Sequence, residues 1–295
     1  MKADLKTLLA QGAPVIADGA MGSLLLAEGL PVGSPSPLWN IERLDIVRGI
    51  HRAYISAGAQ VILTNSFTAS RPALERAGLA ARVGELNRAA ADNARAEADA
   101  SENPVVVSGS MGPLGELMAP LGTLSPEQAR SYFAEQALAL ATGGVDVFWI
   151  ETMSALEEVQ AAVEGCRDAA PQVPIVATMT FERKGRTMMG VTPALALERL
   201  RELGLLAMGA NCGNGTAEIE GVIQAMRAVD QDVPLVAKSN AGLPRLVDGM
   251  SVYDASPDDM AAYARTAHQL GAQIIGACCG STPAHIRAIA EAVKG

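Results

Sequence analysis

Eight short apolar runs, each followed by a polar or glycine-rich break and then a helical pattern, set the frame of this chain. They are Val15–Ala17, Ala59–Leu63, Val105–Val107, Val145–Ile150, Pro174–Thr178, Leu205–Gly209, Pro234–Ala237 and Ala272–Gly276. Such runs are too short for buried helices. Their Val and Ile content, without polar alternation, suits parallel strands covered on both faces. Helix starts lie between them. Ser125-Pro126-Glu127-Gln128 offers an N-cap serine, a proline at the first helical position and a glutamine that completes a capping box. Ser256-Pro257, Thr192-Pro193 and Thr282-Pro283 repeat the cap-then-proline theme. Helical periodicity covers Asp45–Ala57, Glu127–Ala141, Ala155–Ala169 and Asp258–Leu270.

Eight strand–helix alternations in 295 residues predict an α/β fold, the (β/α)8 TIM barrel, as a single domain over residues 1–295. A doubly wound open sheet is the alternative, but no Gly-x-Gly-x-x-Gly follows the first run. Asp99–Asn103 reads as a solvated turn, so no linker divides the chain. Glu28–Val47, Arg183–Val191 and Asn240–Ala255 are long breaks, which a barrel places at its catalytic rim. A net charge of −9 with no basic run argues against nucleic acid as a partner. No apolar run approaches the ~18 residues of a membrane span. Met1-Lys2-Ala3-Asp4-Leu5-Lys6 lacks a signal-peptide core, so a cytoplasmic location is expected. In a reducing compartment, four cysteines in 295 residues suggest metal or catalysis before disulfides.

Barrel chemistry gathers at the C-terminal strand ends. Those ends read Asp18-Gly19, Thr64-Asn65-Ser66-Phe67, Ser108-Gly109-Ser110, Glu151-Thr152, Met179-Thr180-Phe181, Asn211-Cys212-Gly213, Lys238-Ser239-Asn240 and Cys278-Cys279-Gly280. Two acids and three cysteines converge on one mouth. Three thiolates with an open position make a catalytic zinc site able to activate an incoming thiol. The plainer alternative is that Cys278 and Cys279 are small buried residues. Cys166, on a helical pattern, reads as core packing, and His51, His268 and His285 carry no assigned chemistry. Lys238 is either a barrel-interior ion pair or part of the site.

Asp18-Gly19-Ala20-Met21-Gly22, Thr64-Asn65-Ser66-Phe67, Gly112-Pro113-Leu114-Gly115-Glu116, Glu151-Thr152, Asn211-Cys212 and Gly276-Ala277-Cys278-Cys279-Gly280 occur in order along the chain. Together they resemble the homocysteine S-methyltransferase family over essentially its whole length. The resemblance implies a barrel, Zn2+ held by Cys212, Cys278 and Cys279, and Asp18, Gly19 and Glu151 seating the amino-acid end of homocysteine. The product is then methionine. The family commonly has Gly-Gly before the paired cysteines; Gly276-Ala277 departs from it, and the added methyl is expected to be tolerated.

The methyl donor is less constrained. Pro37-Leu38-Trp39-Asn40, Gly185-Arg186-Thr187-Met188-Met189-Gly190 and Ala237–Gly242 are similar to bacterial proteins described as betaine–homocysteine methyltransferases. Trp39 and Phe67 are candidate aromatic faces for a quaternary ammonium. Thr68 and Thr152 depart from the tyrosines of animal betaine enzymes. Gly112–Glu116 is also similar to the homocysteine module of cobalamin-dependent methionine synthase. That module implies a corrinoid protein as partner, and Asn240 as the fourth zinc ligand before substrate binds. Outside this family, a zinc hydrolase on the same barrel and a non-catalytic methyl-shuttling subunit are the rival classes. The scarcity of histidine speaks against the hydrolase. The oligomeric state stays open.

Overall fold

The computed structural model describes residues 4–182, 184–247 and 250–294. Met1–Ala3 of the N-terminal reading, Arg183 at the head of the second long break, and residues 248, 249 and 295 lie outside the described residues.

All eight apolar runs become strands of one parallel sheet. They are β1 (Val15–Ile16), β2 (Val61–Leu63), β3 (Val106–Met111), β4 (Val147–Met153), β5 (Ile175–Met179), β6 (Ala207–Cys212), β7 (Leu235–Ser239) and, after a hairpin of β8 (Arg245–Val247) and β9 (Met250–Val252), β10 (Ala272–Ala277). The sheet order is β1-β10-β7-β6-β5-β4-β3-β2, and a parallel bridge between Ala17 and Val61 joins β1 to β2. This is the (β/α)8 barrel; the open doubly wound sheet would leave β1 and β2 apart.

Side chains alternate between two cores, as a pleated strand requires. Val61, Val106, Val147, Trp149, Val176, Ala207, Val236 and Ile274 point into the barrel; Ile62, Val107, Phe148, Ile150 and Ala177 face the helices. The lumen cluster also contains Leu5 and Leu8. They come from the helix Leu5–Ala10, whose N-cap Asp4 accepts from the amides of Lys6 and Thr7 at 3.2 Å each. Because Val15, Val61, Val106 and Val147 lie at or next to their strand starts, this helix stoppers the barrel at the end away from the site.

The helix starts follow their caps. Ser125 and Ser256 form capping boxes with Gln128 and Asp259, and Thr192 caps Pro193–Glu202. Two long breaks are more ordered than expected. Glu28–Val47 contains a 3-10 turn, Ser36–Leu38, and the helix Trp39–Glu42 before the helix Leu44–Ser56 begins. Asn240–Ala255 folds into the β8–β9 hairpin. Cys166 is fully buried, as expected of core packing. No helix among the described residues is long and apolar enough to cross a membrane.

The stopper makes a testable claim. Leu5 is fully buried, so Leu5→Ala is expected to lower unfolding free energy by about 2–5 kcal/mol. A shift of the denaturant midpoint at unchanged slope checks it.

Candidate active site

Backbone register brings the cysteines together. In β7, Ser239 pairs with Cys212 of β6 on one side and with Ala277 of β10 on the other. Cys212 and the Cys278-Cys279 pair therefore flank the same strand end at the same height. Their three Sγ atoms all lie within 4.8 Å of one another, with Cys212 and Cys278 at 2.8 Å. A tetrahedral zinc about 2.3 Å from each sulfur would set them roughly 3.8 Å apart, so small side-chain adjustments suffice. An all-cysteine donor set suits a soft or borderline metal such as zinc. All three line a cavity of about 250 Å³ at the barrel mouth, which leaves one side of the triad open.

The loops that carry the sulfurs are held under strain. Thr152 and Cys212 both sit at φ 63°, in the left-handed region that non-glycine residues seldom occupy. Asn211 holds both. Its Oδ1 accepts from the Thr152 amide at 2.8 Å and from Thr178 Oγ1 at 2.7 Å, and its Nδ2 donates to Thr152 Oγ1 at 2.7 Å. Asn240 Oδ1 accepts from the Cys279 amide at 3.0 Å, and its Nδ2 donates to the Gly213 carbonyl at 2.7 Å. It ties the two cysteine loops together and does not line the cavity. Ala277 takes an ordinary strand conformation and is fully buried, so its position has no need of a glycine.

Opposite the sulfurs lies a buried charge cluster. Lys238 Nζ is 2.9 Å from Asp18 Oδ1 and 5.6 Å from the centroid of the Trp149 ring. Asp18 Oδ2 accepts from the Leu63 amide at 2.7 Å, and Glu151 accepts from Ser110 Oγ. Burial pulls the Lys238 ammonium down, but Asp18 and Glu151 outweigh it and keep the group charged. Burial lifts Asp18, with Lys238 opposing. Burial also pushes Glu151 up to about 7, again against Lys238. Lys238 is thus both an interior ion pair and part of the cavity wall. Gly19 is confined: a side chain there would meet Ser281 Oγ at 2.4 Å and Tyr54 Oη at 2.9 Å.

Asp18, Gly19, Glu151, Phe67, Cys212, Cys278 and Cys279 all line this one cavity. Trp39 does not. It is 8% exposed and packs into the main core, with the Arg43 guanidinium 5.2 Å from its ring centroid. Of the two candidate aromatic faces, only Phe67 reaches the cavity. No histidine lines it. Residue-type reasoning missed Tyr54 and Ser281, whose hydroxyls brace the first loop against the last: Tyr54 donates to the Ala20 carbonyl at 2.7 Å, and Ser281 Oγ accepts from the Ala20 amide at 3.0 Å. Nothing local in the sequence marks such a pair, which lies 227 positions apart.

Comparison with known proteins gives a consistent answer. A family model described as homocysteine S-methyltransferase matches residues 15–293. Curated relatives include methionine synthases from Mycobacterium tuberculosis and Mycobacterium leprae, 34% and 33% identical, each over 98% of this chain and 25% of the relative. The chain thus spans about a quarter of the length of the curated relatives it matches. Among solved structures, the metallated homocysteine methyltransferase MmuM from Escherichia coli superposes with a TM-score of 0.81 at 25% identity, covering 97% of this chain and 99% of that one. A type I 3-dehydroquinate dehydratase from Clostridium difficile, at 12% identity and a TM-score of 0.54 over 96% of this chain and 91% of its own, shares the fold alone.

The charge cluster yields two expectations. Lys238→Met leaves Asp18 buried without its partner and is expected to cost about 3–5 kcal/mol of stability, most of it recovered in Asp18→Asn/Lys238→Met. Denaturant midpoints of the three proteins decide this. For Glu151, the side chain is protonated in both states below the ordinary value of 4.5. Between there and about 7 the folded state holds a proton that the unfolded chain releases, so stability falls as pH rises and levels off above about 7. Glu151→Gln removes that slope; unfolding free energies across this range should show the variant gaining roughly 3 kcal/mol on the wild type.

Proposed function

The chain belongs to the homocysteine S-methyltransferase family, and on that premise we propose that it transfers a methyl group to the sulfur of homocysteine at a zinc ion held by Cys212, Cys278 and Cys279. The observation that carries this reading is the convergence of three sulfurs within 4.8 Å on the wall of a cavity whose other side holds Asp18, Glu151 and Lys238.

When bound, zinc supplies one thing: it favours the thiolate form of an incoming thiol at neutral pH, where a free thiol is mostly protonated. The remaining tasks belong to the protein. Glu151 is the carboxylate left for the substrate ammonium, since both oxygens of Asp18 are engaged by Lys238 and the Leu63 amide. Lys238 offsets one of the two acids, so a zwitterionic amino acid meets a site of modest net charge. Methyl transfer is a direct displacement at carbon: the substrate sulfur forms its bond to the methyl as the donor's bond breaks, and no base acts on carbon. Alignment and exclusion of water are what the closed mouth contributes.

For the donor, a small methyl-onium compound such as betaine fits the cavity, with Phe67 the aromatic face at hand. A second reading is favoured by the rim. Val32, Leu117, Leu121, Met188 and Leu243 are each more than half exposed, and all lie on loops that follow strand ends or early helices at this face. A rim of that kind suits a methylcorrinoid carried by a partner protein, and the longer methionine synthases leave room for such a unit. A zinc hydrolase is less well supported, because no histidine lines the cavity.

Cys279→Ala is expected to lose stoichiometric zinc and methionine formation together; retention of both would contradict the proposal. Methionine formation is then read with betaine, dimethylsulfoniopropionate, S-methylmethionine and methylcobalamin in turn. Turnover with an onium compound supports the first donor reading, and turnover with methylcobalamin alone supports the second.

A further inference from the structure

A zinc site built this way holds four sulfurs once homocysteine binds, and any of them is able to attack a methyl group. The geometry points to an answer to why only the substrate's does: we propose that Asn211, Thr152 and Tyr253 hydrogen-bond the three protein sulfurs and so restrain them as nucleophiles, leaving the substrate sulfur unrestrained. This rests on the metal-site reading above and deepens it.

Each cysteine has its own donor. Asn211 Nδ2 lies 3.3 Å from Cys212 Sγ and 3.8 Å from Cys278 Sγ. Thr152 Oγ1 accepts from Asn211 Nδ2, which leaves its own proton to point at Cys212 Sγ, 3.8 Å away. Tyr253, just past β9, hydrogen-bonds the Cys279 sulfur through its hydroxyl. Its ring packs on the next residue so closely that a side chain at Gly280 would come within 2.2 Å of Tyr253 Cγ. Gly280, at φ 78°, thus meets two needs: a left-handed turn and room for the tyrosine.

The tyrosine is held in place from both sides. The Ala255 amide donates to the Ala241 carbonyl at 3.0 Å, and the Ala241 amide donates to the Cys279 carbonyl at 2.9 Å. His285 Nε2 lies 2.9 Å from the Ala255 carbonyl, and Arg245 pairs with Asp254 at 3.1 Å. Tyr253 is not on the cavity wall; it covers Cys279 from the other side. It is therefore a positioning residue that never needs to touch substrate. Hydrogen bonds from outside the ligand set draw electron density from a metal-bound thiolate and tune its behaviour.

The reaction to be suppressed is self-methylation. The Cys279 sulfur would form an S–CH3 bond while the donor's bond to that methyl breaks and its electron pair leaves with the leaving group. The resulting thioether carries no charge and binds metal poorly.

The test uses methyl iodide as the probe, with iodide as leaving group, on wild type and Tyr253→Phe. Zinc content is measured first, so failure of the metal site appears as missing zinc. Peptide mass mapping then gives methylation at Cys279 relative to Cys212 within the same molecules, in zinc-loaded and chelator-treated protein alike. Tyr253→Phe is expected to raise that ratio about three- to tenfold, the scale of losing one hydrogen bond to a charged acceptor. Thr152→Ala is expected to move it the opposite way, by exposing Cys212. An unchanged ratio in Tyr253→Phe, or an equal rise at all three cysteines that signals mere loosening, overturns the proposal.

Discussion

Ser239 stands in register with Cys212 on one flank and Ala277 on the other, and the site depends on that shared register. Parallel strands fix the height of each residue along the barrel axis through their hydrogen bonds. A slip of one residue in β6 or β10 would turn its cysteine toward the helices. The barrel therefore does for three distant thiols what a short metal-binding loop does for near neighbours. It also sets them at the rim of a cavity, where a fourth ligand can enter. Strain at Thr152 and Cys212 is tolerated because Asn211 bonds both segments at once.

The second organising feature is electrostatic. A triad of thiolates and two buried acids would accumulate negative charge in a low-dielectric interior, where unpaired charge is costly. Lys238 answers part of this from the floor of the mouth, paired to Asp18 and stacked over Trp149. The remaining acid, Glu151, is poised for the cationic end of an amino acid. Sulfur chemistry and amino-acid recognition thus sit on facing walls of one small chamber.

Much of this was legible in the sequence, for a physical reason. Doubly buried strands need unbroken apolar runs, so all eight strands announced themselves, and strand ends in a barrel share one face. Listing those ends was enough to bring Asp18, Glu151 and the three cysteines together. What was not legible depended on side-chain direction or on contacts across long separations. Trp39 lies in the right loop, but a short helix turns it into the core. Asn240 follows a strand end, yet its amide is spent between two loops. Tyr253 belonged to a segment read as an irregular break. Its value comes from a hairpin that folds it back onto Gly280, and no local pattern reveals that.

The central claim is a three-sulfur metal site that takes up a fourth sulfur from substrate. X-ray absorption at the zinc edge, on the zinc-loaded protein with and without homocysteine, reads this directly. The account predicts three sulfur ligands near 2.3 Å, rising to four when homocysteine is added. Fewer than three sulfurs in the free protein, or no gain of sulfur on adding homocysteine, would contradict it.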